Sequence, residues 1–233
     1  MKTTIHGAEP RHARSRAAAP GRLVQGRLLV PSCVLALTAC APATTTPASP
    51  TGAVAESPAE TRERVDPVPV GYGSLRQEEI SLSLREGDLL LRVTPLEESV
   101  TRLAAPDTWE RLKATADSRI EQARRAVYSG EPEMLLVSFF SYSPDVAYRP
   151  EDIQVMHQGR LLRPVEVLPV TSGWGSGRLQ QREVQNAVYV FDQHIDYAQP
   201  MTIRYGAGES NNWNTIVPVL DRERARVRAR AGT

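Results

Sequence analysis

Asp192, His194 and Asp196 stand at alternate positions, so if residues 187–195 form a strand their side chains share one face. Carboxylate oxygens and an imidazole nitrogen at that spacing are ligands able to hold a divalent metal and activate water on it. Tyr189, Phe191, Ile195 and Tyr197 form the opposite, apolar set, which is equally what a half-exposed strand end displays. The same residues therefore support a metal-dependent hydrolase site or a plain amphipathic strand end. Ser141 and Ser143 beside Asp145 offer hydroxyls, but no Gly-x-Ser-x-Gly elbow accompanies them and no triad setting surrounds His157 or His194. His157, in the run His157-Gln158-Gly159, is expected at a turn as an exposed polar residue. No side chain is assigned a catalytic role, and no cofactor is expected.

Two tryptophans are the candidates for binding. Trp174 lies in Gly173-Trp174-Gly175-Ser176-Gly177, a run that lacks the strand before and helix after that a phosphate cradle needs. A tryptophan on such a loop either contacts a partner or glycan or folds back as a plug. Trp213 follows Asn211-Asn212 and is expected on a loop that caps a strand.

The elements that must position these residues are mostly strands. Ile80, Leu82 and Leu84 alternate with polar residues, and the run Leu89-Leu90-Leu91-Arg92-Val93 follows Gly87, which predicts a hairpin. Residues 134–142 are apolar on both alternating faces, as in a central strand covered on two sides. Residues 153–156 and 160–167 flank a turn, and 187–195, 201–205 and 215–220 complete about eight strands.

Between residues 106 and 130 the period changes. Trp109, Leu112, Ala116, Ile120, Ala123 and Val127 recur at three- and four-residue steps, predicting one helix of about six turns. Asp107 and Glu110 are placed as its capping box and Gly130 as its stop. The fold class expected is mainly β: an antiparallel, immunoglobulin-like β-sandwich with one long inserted helix, preceded by a disordered tether.

The chain has 233 residues and a formal charge of +1. Its first 27 residues carry Lys2, Arg11, Arg14, Arg16, Arg22 and Arg27 against Glu9, and residues 28–39 carry no charge. A helix of twelve residues rises only about 18 Å against a hydrocarbon core of roughly 30 Å, which favours a secretory h-region over a permanent span. Leu37-Thr38-Ala39-Cys40 closes this segment and resembles the lipobox of bacterial lipoproteins. The resemblance implies cleavage before Cys40, a diacylglycerol on its thiol and an acyl chain on its amine. Ala41 resembles the outer-membrane class of that family. The basic segment is longer than a usual signal, so the expectation is either a long signal or a start downstream, for instance near Val24.

Removal of residues 1–39 takes six bases and one acid with it and leaves a chain of about −4. That charge argues against a nucleic-acid binder. Cys33 and Cys40 both fall in the signal region, so no disulfide, thiol nucleophile or cysteine metal cluster is expected in the folded part. Residues 40–70, rich in Ala, Pro, Thr and Ser, form the lipidated N-terminus and disordered tether. Residues 71–220 form the β-rich domain. Residues 221–233 form an Arg-rich tail, either a solvated helical or frayed end or a patch for anionic head groups or acidic polysaccharide.

The function expected is an envelope-anchored binding or assembly module. Its partners would be the membrane, through the lipid, and an envelope protein or cell-wall glycan. A metal-dependent envelope hydrolase and a structural envelope component are the alternatives.

Overall fold

A computed structural model describes residues 68–232, so the lipobox segment and most of the tether lie outside the described residues. In chain order the elements are β1 (Leu82–Glu86), β2 (Leu89–Pro95), α1 (Glu98–Thr101), α2 (Pro106–Asp117), α3 (Ile120–Ala126) and β3 (Glu133–Ser141). Then come β4 (Val146–Ala147), β5 (Gln154–His157), β6 (Arg160–Leu162), β7 (Glu166–Pro169), β8 (Arg178–Leu179) and β9 (Val184–Phe191). β10 (Met201–Tyr205), β11 (Gly208–Ser210) and the 19-residue helix α4 (Trp213–Ala231) complete the chain.

Two antiparallel sheets form a sandwich-like core. The larger runs β1-β2-β3-β9-β7 and the smaller β11-β10-β5-β6, with β4 and β8 paired separately. The predicted hairpin is present: Glu86 pairs with Leu89 across a two-residue turn in which Gly87 takes φ +58°. A second hairpin joins β5 to β6 through Gln158 and Gly159, both at positive φ, the geometry that matches strand twist in a two-residue loop. Residues 160–167 are not one strand. They divide at Arg163-Pro164 into β6 and β7, which belong to different sheets.

Alternation on β3 decides where everything sits. Leu135, Val137 and Phe139 are fully buried between the sheets, where the Phe139 ring stands 5.6 Å from Tyr205 of β10. Met134, Leu136, Ser138 and Phe140 face outward, and their cross-strand partners on β9 are Val190, Val188, Asn186 and Val184. Helices α2 and α3 are packed onto this outer face, with Leu112 and Ala123 wholly buried. They leave the Phe140 end open, since Phe140 is half-buried and Val184 is exposed.

The region predicted as one long helix is two. α2 ends at Asp117, where Ser118 Oγ donates to the Thr115 carbonyl, and α3 begins after Arg119, whose guanidinium reaches the Pro169 carbonyl at 2.7 Å. Local side-chain bonding of Ser competes with the helical ladder, and a sheet edge within reach of Arg119 draws the chain off axis. Asp107 lies in the first turn rather than at the cap. Ala105 is the N-cap with Pro106 at N1, and α3 stops at Ala126, before Gly130.

Residues 215–220 are likewise not a strand, and of the forms expected for the Arg-rich end, residues 221–231 take the helical one, with one side buried rather than solvated. Both belong to α4, which buries Trp213, Ile216, Leu220, Glu223 and Val227 on one stripe of three- and four-residue steps. The folded part also begins earlier than residue 71, because Val68 is buried and its carbonyl accepts from Arg102 at 3.2 Å.

Close packing of the first segment makes a testable demand. Leu75 N donates to Leu103 O at 3.1 Å and Ala105 N to Leu75 O at 2.8 Å, and a Cβ on Gly73 would stand 2.4 Å from the Ala104 oxygen and the Leu103 carbonyl carbon. Neither contact is to a flexible side-chain end, so backbone must move. Gly73→Ala is expected to destabilise by about 1–3 kcal/mol. An unchanged melting temperature would contradict this contact.

Candidate functional site

The three predicted ligands are not gathered into a metal site. β9 stops at Phe191, so Asp192 and His194 lie in an irregular segment where strand alternation no longer orients them. His194 Nδ1 bonds Glu133 Oε1, while Asp196 Oδ1 accepts from the Ala198 amide at 3.0 Å. Among the described residues no group of three His, Cys, Asp or Glu side chains is placed to hold a metal ion. The hydroxyl candidates are separately engaged: Ser141 donates to the Ser143 carbonyl, Ser143 to Asp88, and Asp145 pairs with Arg178.

His157 is buried rather than exposed. The Asp196 amide donates to its Nε2 at 3.2 Å and its Nδ1 lies 3.2 Å from the Pro200 carbonyl, which together require the neutral tautomer with the proton on Nδ1. The ring thus ties the end of β5 to residues 196–200 as a structural staple.

Glu133, which sequence reasoning missed, is the most perturbed carboxylate in this region. Burial raises its pKa above the ordinary 4.5, and the His194 hydrogen bond and charge oppose the rise without reversing it. Tyr197 Oη donates to its other oxygen at 3.3 Å, and burial together with Glu133 and Glu97 pushes the tyrosine far up. His194 and Tyr197 line a cleft of about 510 Å³ with Val68, Glu97, Arg102 and Arg228. Both charge signs are present there and paired within reach, as in Arg102 with Glu98 and Arg224 with Asp221.

The sign of the Glu133 effect is fixed by linkage. A carboxyl whose folded pKa lies above 4.5 binds more protons folded than unfolded, so its contribution to stability is full below 4.5 and lost as pH rises through the folded value. Glu133→Gln cannot titrate. The variant is expected to gain on the wild type as pH rises from 4.5 toward neutrality, read as the difference between their melting temperatures at each pH. A difference moving the other way would contradict the assignment.

The two tryptophans separate. Trp174 is half-buried and packs against the core, its ring 5.8 Å from both Phe139 and Tyr148 and 6.3 Å from Tyr189. Trp213 is wholly buried, with Nε1 donating to the Tyr197 carbonyl at 3.0 Å. It is a core residue of α4 and not a loop contact. Its helical register was visible in Ile216 and Leu220, but Pro218 between them reads as a helix breaker in sequence.

A different surface has the character of a site. Where α2 and α3 leave the outer sheet face open, a groove of about 500 Å³ runs beside α2. Its floor consists of cross-strand rows. One is Leu90, Phe140 and Val184, and the next is Arg92, Ser138 and Asn186. Arg111 and Thr115 of α2 form one wall, and Val170 lies opposite in sequence beyond β7.

Among the described residues no acidic side chain lines this groove. Arg92 Nε is buried and meets no acceptor, and the Arg111 guanidinium has no ion pair or hydrogen bond among the described residues. A charge inside the apolar run Leu89-Leu90-Leu91-Arg92-Val93 was the sequence signal for this site. Reading it required knowing that even-numbered residues of β2 face away from the core.

Comparison with known proteins adds little. No family model matches the chain, and no curated protein matches it. A crystal structure of MPT63, a secreted protein from Mycobacterium tuberculosis, aligns over 59% of this chain and 94% of its own at 13% identity and a TM-score of 0.29. Likeness of that degree carries no argument about what this chain does. Among the described residues no helix is long and apolar enough to cross a membrane, and the chain is a mainly β, sandwich-like fold closed by a C-terminal helix.

Proposed function

We propose that this chain is an envelope lipoprotein, anchored through acyl chains on Cys40, whose sandwich acts as a binding module with the open outer face of the five-stranded sheet as its contact surface. The single observation that supports this reading is the groove beside α2, where Arg92 and Arg111 have no side-chain partner among the described residues and stand over half-buried Leu90 and Phe140. A buried guanidinium nitrogen without an acceptor costs stability, and binding proteins keep such groups where a ligand completes them. The Nε atoms of Arg102 and Arg119 are also buried without an acceptor, but each of those guanidinium groups bonds a backbone carbonyl through a terminal nitrogen, a bond that Arg92 does not make among the described residues.

The test uses the full chain in cells. A photo-crosslinking amino acid at Val184, which is 44% exposed in the groove, is compared with one at Tyr128, which is 96% exposed and outside it. Adducts of defined mass from position 184 and none from 128 are expected. Equal labelling at both, or none at 184, would overturn the proposed surface. Anchoring is tested separately: Cys40→Ser is expected to abolish acyl labelling, and unchanged labelling would refute the lipidation site.

A further inference from the structure

We infer that the groove binds a single-chain amphiphile, its anionic head held by Arg92 and Arg111 and its apolar body lying along Leu90, Phe140 and Val184. This rests on the sheet face being the binding surface and names what that surface takes. Three features of the groove select the ligand.

Charge comes first. Two permanently cationic groups, with no lining acid among the described residues, repel metal ions and attract carboxylate or phosphate, although the chain beyond residue 39 is about −4 overall. Arg92 rises from the floor with no acceptor for its guanidinium among the described residues, and Arg111 approaches from the α2 wall. An oxyanion between them would satisfy both, and Ser138 and Asn186 in the same row as Arg92 offer further polar contacts.

Polarity ordered by row comes second. The polar row Arg92-Ser138-Asn186 adjoins the apolar row Leu90-Phe140-Val184, because successive outward residues on a strand stand two apart. Beyond the apolar row the aromatic strip continues, with Phe140 and Tyr142 rings 4.8 Å apart and the Arg85 guanidinium 4.7 Å from the Tyr142 ring. A ligand charged at one end and apolar along its length matches this sequence of surfaces. A uniformly polar sugar would leave Leu90 and Phe140 facing water, and a neutral sterol would leave Arg92 unsatisfied.

Size comes third. About 500 Å³ lies within the range of pockets that enclose one small ligand. The shared chemistry, an oxyanion on an acyl chain, has two sources: a free fatty acid or a single-chain phospholipid.

The experiment displaces the fluorescent anionic amphiphile dansylaminoundecanoate from the full chain with oleate, lysophosphatidylglycerol or neutral monoolein. Saturable binding is expected, with at least one anionic competitor acting about tenfold more strongly than monoolein, and Arg92→Gln with Arg111→Gln abolishing that preference. Arg111→Gln alone, on an exposed helix position, is expected to reduce the preference several-fold and guards against a folding defect at Arg92. Oleate as the stronger competitor identifies a fatty acid, and lysophosphatidylglycerol a phospholipid; either supports the inference. Equal displacement by monoolein and both anions, or a preference that survives both substitutions, overturns the anionic head while leaving the groove as a binding surface. Probe binding that is unchanged by Phe140→Glu overturns the groove itself.

Discussion

Trp213→Ala is expected to destabilise the domain by about 3–5 kcal/mol, the range for deleting a large aromatic from a packed core. The indole is wholly buried, its ring lies 6.0 Å from Tyr197 in an edge-on contact, and its Nε1 donates to the Tyr197 carbonyl. Truncation therefore leaves a cavity and removes a buried hydrogen bond to this carbonyl. Domains of this size are stable by roughly 5–15 kcal/mol, so the loss is a large fraction of the whole. Trp213→Phe refills most of the volume without the donor, and its cost should fall to about 1–3 kcal/mol. Urea denaturation of both variants measures this. A wild-type midpoint for Trp213→Ala would place the indole outside the core.

Glu223→Ala is the second large effect, about 2–3 kcal/mol at neutral pH, because hydrogen bonds to a charged group are among the stronger ones. The carboxylate is 1% exposed, and one oxygen accepts from the Ser74 amide at 3.0 Å, from Ser74 Oγ at 2.7 Å and from Arg230 at 3.1 Å. Arg230 also donates to the Tyr72 carbonyl at 2.6 Å, so the cluster fastens α4 to the segment that opens the fold. Without the carboxylate the arginine reaches water, but the Ser74 amide loses its acceptor. Burial alone would raise the carboxyl's pKa. The Ser74 and Arg230 hydrogen bonds outweigh it and hold the value below 4.5. Stabilisation from a lowered carboxylate is full above 4.5 and fades as pH falls through the folded value, so the gap between wild type and Glu223→Ala should narrow in acid. Equal stability at pH 7, or a gap that widens in acid, would contradict this.

Both predictions concern residues that sequence reading had placed on the surface, and the reason is common to them. Trp213 and Glu223 lie on either side of Pro218 in a run with five arginines after residue 220, a pattern that resembles a strand followed by a charged tail. One stripe at helical spacing nonetheless runs through it. A proline near the start of a helix and arginines on its solvated faces are compatible with a buried stripe, and only the sheet beside α4 made that stripe worth burying. His157 was misplaced for a similar reason. A hairpin turn is normally exposed, yet the loop 196–200 folds over this one and closes both ring nitrogens.

The candidate groove illustrates a different gap. Arg92 within an apolar strand is legible as an anomaly, but Arg111, nineteen residues and one short helix later, has no local signal. Their convergence depends on where α2 lies on the sheet, which the break at Ser118 and Arg119 determines.

What the sequence by itself determined was the class and the local pieces: an antiparallel, mainly β domain, the Gly87 hairpin, the doubly covered strand β3, and helix in the region after residue 106. Those follow from periodicity and turn chemistry, which act over a few residues. Tertiary structure alone decided that residues 160–167 divide between sheets, that α4 closes the core, that Asp192, His194 and Asp196 part company after Phe191, and that Arg92 and Arg111 share a groove. Each of these depends on contacts between residues far apart in the chain, where burial and hydrogen-bond satisfaction override local preference.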